Sequence, residues 1–458
     1  MRLSLFTLLV CVAWQTAIAQ PTDTTSRIDN LFSSWSNATP GGSILVARGE
    51  KILYHKAYGL ANLESNVPNT TETIFEAGSV SKQFTAFSIL LLNADGKLAL
   101  TDDVRKYIPE LPLYEAPVTI QHLLNHTSGL KDWGSVGALT GWPRGSRDYT
   151  LPLALHIIFK QKTTNFKPGN EYSYSNSNYT LLVEIVQRIS KQPLEDFTAE
   201  RLFKPLGMTH TRWRSNFRTI VPNRAQAYSQ KDDGYELEMP FEHVYGHGGL
   251  LTTTGDLLKW NRILETHQLG GDAVFKTRIE RGKLNDGKSI TYAAGVLHGE
   301  VNGVAEIGHS GATAGYRAWL AYYPSKKITI ALLSNEANFP PVTIGHKIAE
   351  IYFGSPAEQR QDSQQSVEPA VFPYSTLAPF IGEYYSNEAE CTIKIVEKEK
   401  TIVAINDALE EIPLKPEGQN IFMMGNNKFE FTTDSKKKIT GLEISVSRAN
   451  KVPFKKVK

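Results

Sequence analysis

The chain has almost no cysteine: Cys11 and Cys391 are the only two in 458 residues. A disulfide framework cannot be built on that, and without a C-x-x-C pair zinc and dithiol chemistry have no foothold. H-E-x-x-H is missing as well, which removes the helix-borne zinc hydrolase motif. Nor is charge of one sign in excess. The 49 basic residues stand against 47 acidic ones, a net charge of +2, so nucleic acid has no electrostatic footprint here. Long apolar runs are also lacking. The longest, Leu3 to Trp14, is too short to span a bilayer. No internal repeat is present, and the oligomeric state is left open.

What the N-terminus does contain reads as a secretory signal over residues 1–19. Met1-Arg2 supply the positive start, Leu3 to Trp14 the apolar run, and Ala17-Ile18-Ala19 a small-x-small cleavage site before Gln20. This predicts an exported protein, periplasmic or secreted. A lipoprotein anchored through Cys11 is the weaker alternative, because bulky Val10 precedes that cysteine. Cleavage would leave Cys391 alone, in a β-rich segment where a small core residue is the simpler reading than a nucleophile. The composition, 41% hydrophobic and 21% charged, is that of a soluble globular chain whose length suits two domains.

From Gly41 the pattern becomes strand-like. Ser43 to Arg48 and Lys51 to Gly59 flank Gly49-Glu50 and predict a hairpin. A helix follows Ser79, with apolar Phe84, Phe87 and Ile89 to Leu92, ending near Gly96. Helices are predicted over Thr119 to Leu124, Pro152 to Phe159 and Tyr179 to Ser190. The intervening stretch from Lys131 to Tyr149, rich in Gly, Trp, Pro and Arg, reads as a long loop, a lid or a surface excursion. Strands return at Tyr292 to His298, Val304 to Gly308, Tyr316 to Tyr323 and Ile328 to Ser334, in the pattern of an antiparallel meander. Val342 to Tyr352 reads as a closing helix.

The expected fold is therefore α+β: an antiparallel sheet flanked by helices, its first and last strands shared, with an inserted helical subdomain. This domain takes residues 20–355. A linker is read at 356–372, centred on the Gln-, Ser- and Glu-rich run from Ser355 to Ala370. Residues 373–458 read as a small all-β domain, a barrel or a sandwich.

Three short patterns carry candidate chemistry. Ser79-Val80-Ser81-Lys82 puts a hydroxyl and an amine on one face of a helix, at an end where free N–H groups favour negative charge. A serine nucleophile needs such a base. Ser435-Lys436-Lys437-Lys438 has the same spacing without an apolar helix behind it. Tyr174-Ser175-Asn176 places a proton-relaying phenol two residues from an amide, although Asn176 could equally be a helix cap. Tyr385-Ser386-Asn387 repeats that pattern. His309-Ser310-Gly311 sits at a strand end, where Gly311 would let a substrate backbone come close. His309 is then either a cleft donor or a histidine satisfied within the fold.

Taken in order, S-x-x-K, Y-x-N and H-S-G resemble the class C β-lactamase and D,D-peptidase family of serine hydrolases. His126 to Leu130, Pro168-Gly169, Pro205 to Met208 and Gly248 to Leu250 are similar to further family segments, so the resemblance runs over roughly residues 27 to 355. It implies an acyl-enzyme on Ser79. Lys82 and Tyr174 would act as a hydrogen-bonded pair moving the proton, with either one as the base. Backbone N–H groups of Ser79 and Ala312 would form the oxyanion hole. Asn176, His309 and Gly311 would contact a small-molecule or peptide substrate. No cofactor or metal is implied. The β-lactamases of this class usually carry lysine where this chain has His309, so amides or esters, D-amino-acid peptides among them, are expected in preference to β-lactams. A catalytically idle binder of cell-wall peptides is the alternative from another class. The C-terminal domain, from Phe380-Ile381-Gly382 onward, also resembles domains appended in this family.

Overall fold

The computed structural model describes residues 22–354 and 377–458; the expected signal peptide and the Ser355–Ala370 run lie outside them. Among the described residues no helix is long and apolar enough to cross a membrane. The first hairpin forms as its sequence dictates. Strand β1 (Gly42–Arg48) pairs antiparallel with β2 (Lys51–Tyr58), and Gly49 takes the positive φ of +56° that the tight turn requires.

Four more strands complete the sheet: β3 (Leu297–Val301), β4 (Val304–Thr313), β5 (Tyr316–Tyr323) and β6 (Ile328–Ser334). Their order is β3-β4-β5-β6-β1-β2, so the last strand lies beside the first, with Gly42 opposite Ser334. Strand β1 is buried on both faces. Leu45 and Ala47 point into the core of the helical subdomain. Ile44 and Val46 point the other way, towards a layer formed by helix α1 (Thr22–Asn30) and the closing helix (Pro341–Phe353). Period-two alternation into two apolar layers explains why Ile44 to Ala47 is an unbroken apolar run.

Two strand expectations need correction. The run predicted from Tyr292 is strand only from Leu297, because Gly295 turns the chain at φ +77° against the second helix. A Cβ there would lie 2.8 Å from Gln83 Cα. The strand predicted over Val304 to Gly308 runs on to Thr313, which carries His309 and Gly311 within β4 and not at its end.

Between the two halves of the sheet lie helices α2 (Lys82–Ala94), α3 (Ile120–Asn125), α4 (Trp133–Ala138), α5 (Leu151–Lys160) and α6 (Asn176–Ser190). Helix α2 is buried from Lys82 to Leu92 and is the axis of this subdomain. The stretch from Lys131 to Tyr149 is not the free loop its composition suggested. Asp132 caps α4 by accepting from the Ser135 N–H at 3.0 Å, and Trp133 is fully buried.

The C-terminal domain is a closed barrel of eight antiparallel strands in sequence order: β7 (Gly382–Ser386), β8 (Cys391–Lys398), β9 (Thr401–Ile405), β10 (Glu411–Gly418), β11 (Ile421–Met424), β12 (Asn427–Thr433), β13 (Ile439–Val446) and β14 (Ala449–Lys456). Closure removes exposed strand edges. Edge-to-face contacts among Phe380, Phe422, Phe431 and Tyr384 fill its interior. Cys391 belongs to that core, and burial lifts its thiol to about 12, so it behaves as a small apolar residue. Tyr385 and Asn387 lie in and just after β7, away from the Y-x-N of the α+β domain.

The barrel is docked firmly. Val136 and Leu139 of the α+β domain enter the barrel's apolar core. The ammonium of buried Lys131 pairs with Glu388 at 3.2 Å, and Gln161 Nε2 donates to the Glu388 carbonyl at 2.9 Å. Asn165 receives the Asn450 N–H at 2.8 Å and donates to the Arg448 carbonyl at 3.0 Å.

Candidate active site

A 3-10 turn, Gly78–Ser81, runs straight into α2, so Ser79 stands at the amino end of one continuous helical segment. Gly78 has φ +50° and presses flat on β4; a Cβ there would be 2.6 Å from the Ala312 nitrogen. Only glycine fits both the backbone angle and the approach. The Ser79 turn and the Ala312 amide are thereby brought together. Gly311 has a different use from the one its sequence suggested. A Cβ at Gly311 would lie 2.0 Å from the Ala77 carbonyl oxygen, so the missing side chain makes room for the nucleophile turn.

Lys82 is fully buried. Its Nζ lies 3.3 Å from Ser79 Oγ, 2.9 Å from Asn176 Oδ1 and 2.6 Å from the His247 carbonyl. Burial pushes its pKa well below that of an ordinary lysine, and the nearby guanidiniums of Arg144 and Arg448 push the same way, against Asp132. A neutral amine has two N–H donors and one lone pair. Two of its three neighbours are carbonyl oxygens, which can only accept. They take the two donors and leave the lone pair facing the Ser79 hydroxyl. That is the arrangement of a base.

Tyr174 is half-buried, and desolvation raises its pKa, partly offset by its proximity to Ser79 and Arg448. Its hydroxyl makes no hydrogen bond of good geometry. The expected hydrogen bond to Lys82 is absent, because the Lys82 nitrogen sits over the face of the Tyr174 ring, 4.7 Å from its centroid. His126 holds that ring from behind at 4.3 Å. Its Nδ1 accepts from the Ser175 N–H at 3.2 Å and from Asn178 Nδ2 at 2.9 Å. Burial holds His126 well below its usual pKa, so it is neutral.

Asn176 is the first residue of α6, after Ser175 at the cap position. Its side chain accepts from Lys82 and does not cap the helix, and its N–H donates to Asp132 Oδ2 at 2.7 Å. His309 lies across the site on β4. Its Nδ1 donates to the Ser310 carbonyl at 2.6 Å, and Nε2 accepts from the Tyr292 hydroxyl at 3.0 Å. Burial lowers its pKa to about 4, against the Ser310 hydrogen bond, so this imidazole is uncharged at neutral pH.

Sequence reasoning missed several neighbours. Asp132, Tyr292 and the His247 carbonyl each fix one of the residues above. Asp132 had a legible signal, an acidic residue just ahead of the Trp133 helix; the other two had none. Behind the nucleophile turn runs a buried chain of charges. Arg214 Nε lies 2.8 Å from Glu76 and its Nη2 3.7 Å from Glu242, Arg224 is 3.5 Å from Glu76, and Arg144 Nε donates to Glu242 at 3.0 Å. Among the described residues no cluster of side chains is suited to a metal ion.

Comparison with known proteins adds family and fold. The profile of a family described as beta-lactamase matches residues 18–352. A penicillin-binding protein of Bacillus subtilis is 28% identical over 406 residues, 84% of this chain and 87% of its own length. A D-aminopeptidase of Gluconobacter oxydans is 27% identical over 71% of this chain; the match spans 61% of that relative, less than two thirds of it. An octameric penicillin-binding protein homologue from Pyrococcus abyssi superposes with a TM-score of 0.63 at 23% identity, over 95% of this chain and 99% of the other. A D-amino acid amidase of Ochrobactrum anthropi gives 0.61 at 19% identity, over 72% and 99%. At such identities the structural likeness speaks for the fold.

Proposed function

The chain belongs to the beta-lactamase family and is a serine hydrolase; from that premise we propose that it cleaves amide bonds in small D-amino-acid-containing peptides or amides. The observation that carries this reading is the buried Lys82 amine, whose nitrogen lies 3.3 Å from Ser79 Oγ. Ser79 Oγ attacks the carbonyl carbon and its proton passes to Lys82 Nζ. The negative charge that develops on the carbonyl oxygen is met by the Ser79 and Ala312 N–H groups. As the C–N bond breaks, the leaving nitrogen takes a proton from the Tyr174 hydroxyl, and the proton held on Lys82 Nζ replaces it, so both groups end in their starting states. The raised pKa of Tyr174 keeps its hydroxyl protonated at neutral pH, so the proton is there to give. Water then enters by the same proton route and releases the acid, restoring Ser79. Asn176 orients Lys82 and the substrate amide.

His309 argues for poor turnover of β-lactams. A neutral imidazole tied to Tyr292 and Ser310 offers a drug carboxylate no fixed cation at that position. The signal-like run over residues 1–19 supports a reading in which the protein is exported to the periplasm or outside the cell. The relatives described as D-aminopeptidase and D-amino acid amidase favour amides over simple esters.

One preparation tests these points. Fluorophosphonate should add one equivalent to the wild type at Ser79 by mass spectrometry, and Ser79→Ala should take up none. On a panel of D-amino-acid anilides, D-alanyl peptides, p-nitrophenyl esters and nitrocefin, the amides should be turned over fastest. Turnover of esters alone would make the protein an esterase. An unlabelled protein without turnover would make it a binder, and fast cephalosporin hydrolysis would refute the role given to His309.

A further inference from the structure

The barrel meets the catalytic domain at one point that docking alone does not explain. Strands β13 and β14 are joined by Ser447-Arg448, with Ser447 in the left-handed region at φ +43°. This turn is held on the catalytic domain by its backbone. The Arg448 carbonyl accepts from the Asp132 N–H at 3.2 Å and from Asn165 Nδ2 at 3.0 Å, and its N–H donates to Ser135 Oγ at 3.4 Å. The side chain is left over for another purpose.

That side chain reaches into the active site. The guanidinium lies over the Tyr174 ring, 5.2 Å from its centroid. Nη1 is buried and makes no hydrogen bond; its nearest acid is Asp132 Oδ2, 3.8 Å away and already accepting from Asn176. The other guanidiniums near the cleft are occupied: Arg144 by Glu242, and Arg317 by the Ala314 and Tyr316 carbonyls. Arg448 also stands on the wall of a cavity of about 460 Å³ that includes Asn176 and Asp132 on one side and Ile412, Met424 and Ile444 of the barrel on the other.

We propose that the barrel completes the active site, with Arg448 binding a carboxylate carried on the leaving-group side of the scissile amide. This rests on the acyl-enzyme reading above, in which Tyr174 marks the leaving-group side. A planar guanidinium with free donors is matched to a carboxylate, and His309 leaves that charge unanswered elsewhere in the site. The barrel is then a specificity element, and the cavity beside Arg448 accommodates the departing group.

The test uses the full-length protein and two chromogenic substrates: the D-alanyl anilide of an amino-nitrobenzoic acid and the matching benzamide, which differ only in carboxylate against carboxamide. The wild type should prefer the acid. Arg448→Gln should lower the acid-to-amide ratio of kcat/KM by roughly tenfold, the worth of a charge-assisted hydrogen bond, chiefly through KM. Arg448→Lys should recover part of the preference. The variants keep the backbone bonds that seat the turn, and fluorophosphonate labelling of Ser79 verifies the site in each. A wild type that labels at Ser79 but prefers the amide, treats both alike or cleaves neither overturns the proposal and leaves the acyl-enzyme reading standing. An equal loss on both substrates in Arg448→Gln also overturns it, since Arg448 would then act only through the charge it adds beside Lys82. Failure of the wild type to label overturns the acyl-enzyme reading itself.

Discussion

The spacing S-x-x-K occurs at Ser79–Lys82 and again at Ser435–Lys438, in opposite surroundings. The first pair lies at the amino end of a buried helix, with Lys82 out of contact with water and its nitrogen bounded by two carbonyl oxygens and a hydroxyl. The second lies in the exposed turn between β12 and β13, where Asp434 accepts from the Lys436 and Lys438 N–H groups. An amine in water keeps its proton at neutral pH. An amine deprived of water, and flanked by other cations, gives it up. The pattern supplies two functional groups, and the burial of one of them makes a base. Spacing alone carries none of this.

The comparison is broken most directly by removing each lysine. Lys82→Ala should lower kcat/KM on a D-amino-acid anilide by roughly two or more orders of magnitude, the usual loss when a positioned proton acceptor disappears. In the wild type, activity should fall on the acid side as Lys82 takes up a proton, through an apparent pKa well below that of ordinary lysine, because burial and then Arg144 and Arg448 depress it. An acid limb that persists unchanged in Lys82→Ala would assign it to another group.

A second difference lies in what stands behind each pair. The Ser79 turn leans on the buried Glu76–Arg214–Glu242 chain, whereas the Ser435 turn leans on solvent. Arg214→Leu should destabilise the catalytic domain by about 3 kcal/mol in urea unfolding, since Glu76 and Glu242 keep their charges with one fewer partner. Arg224, 3.5 Å from Glu76, tempers that loss. Were Arg214→Leu as stable as the wild type, the ion pairs would be exchangeable for apolar packing, and the nucleophile turn would not depend on them.

Local chemistry made much of this legible before any coordinates. Two β-rich runs on either side of Gly49-Glu50 announced the first hairpin, and the apolar stripe after Ser79 announced α2. The three motifs named residues that do converge: Ser79, Lys82, Tyr174, Asn176 and His309 lie around one cleft. What stayed hidden was set by distant parts of the chain. The role of Gly311 depends on the Ala77 carbonyl, more than two hundred residues earlier in sequence. Tyr292 was read as the start of a strand, whereas Gly295 turns the chain there against α2. Arg448 had no signal, since only docking of the barrel brings it beside Tyr174. A sequence pattern reports neighbours along the chain, and a base is made by neighbours in space.

The smallest expected effect is the strictest control on that argument. Ser435→Ala and Lys438→Ala should leave fluorophosphonate labelling and turnover as in the wild type, and should change stability by no more than about 0.5 kcal/mol, as exposed substitutions do. Neither side chain touches the core of the barrel or the docking contacts at Glu388, Arg448 and Asn450. The loop they occupy is closed by Asp434, whose bonds go to backbone N–H groups that both variants retain. If either substitution lowered labelling, the turn between β12 and β13 would have to act on the cleft from the barrel's far surface. The difference in burial would then no longer separate a working S-x-x-K from an idle one.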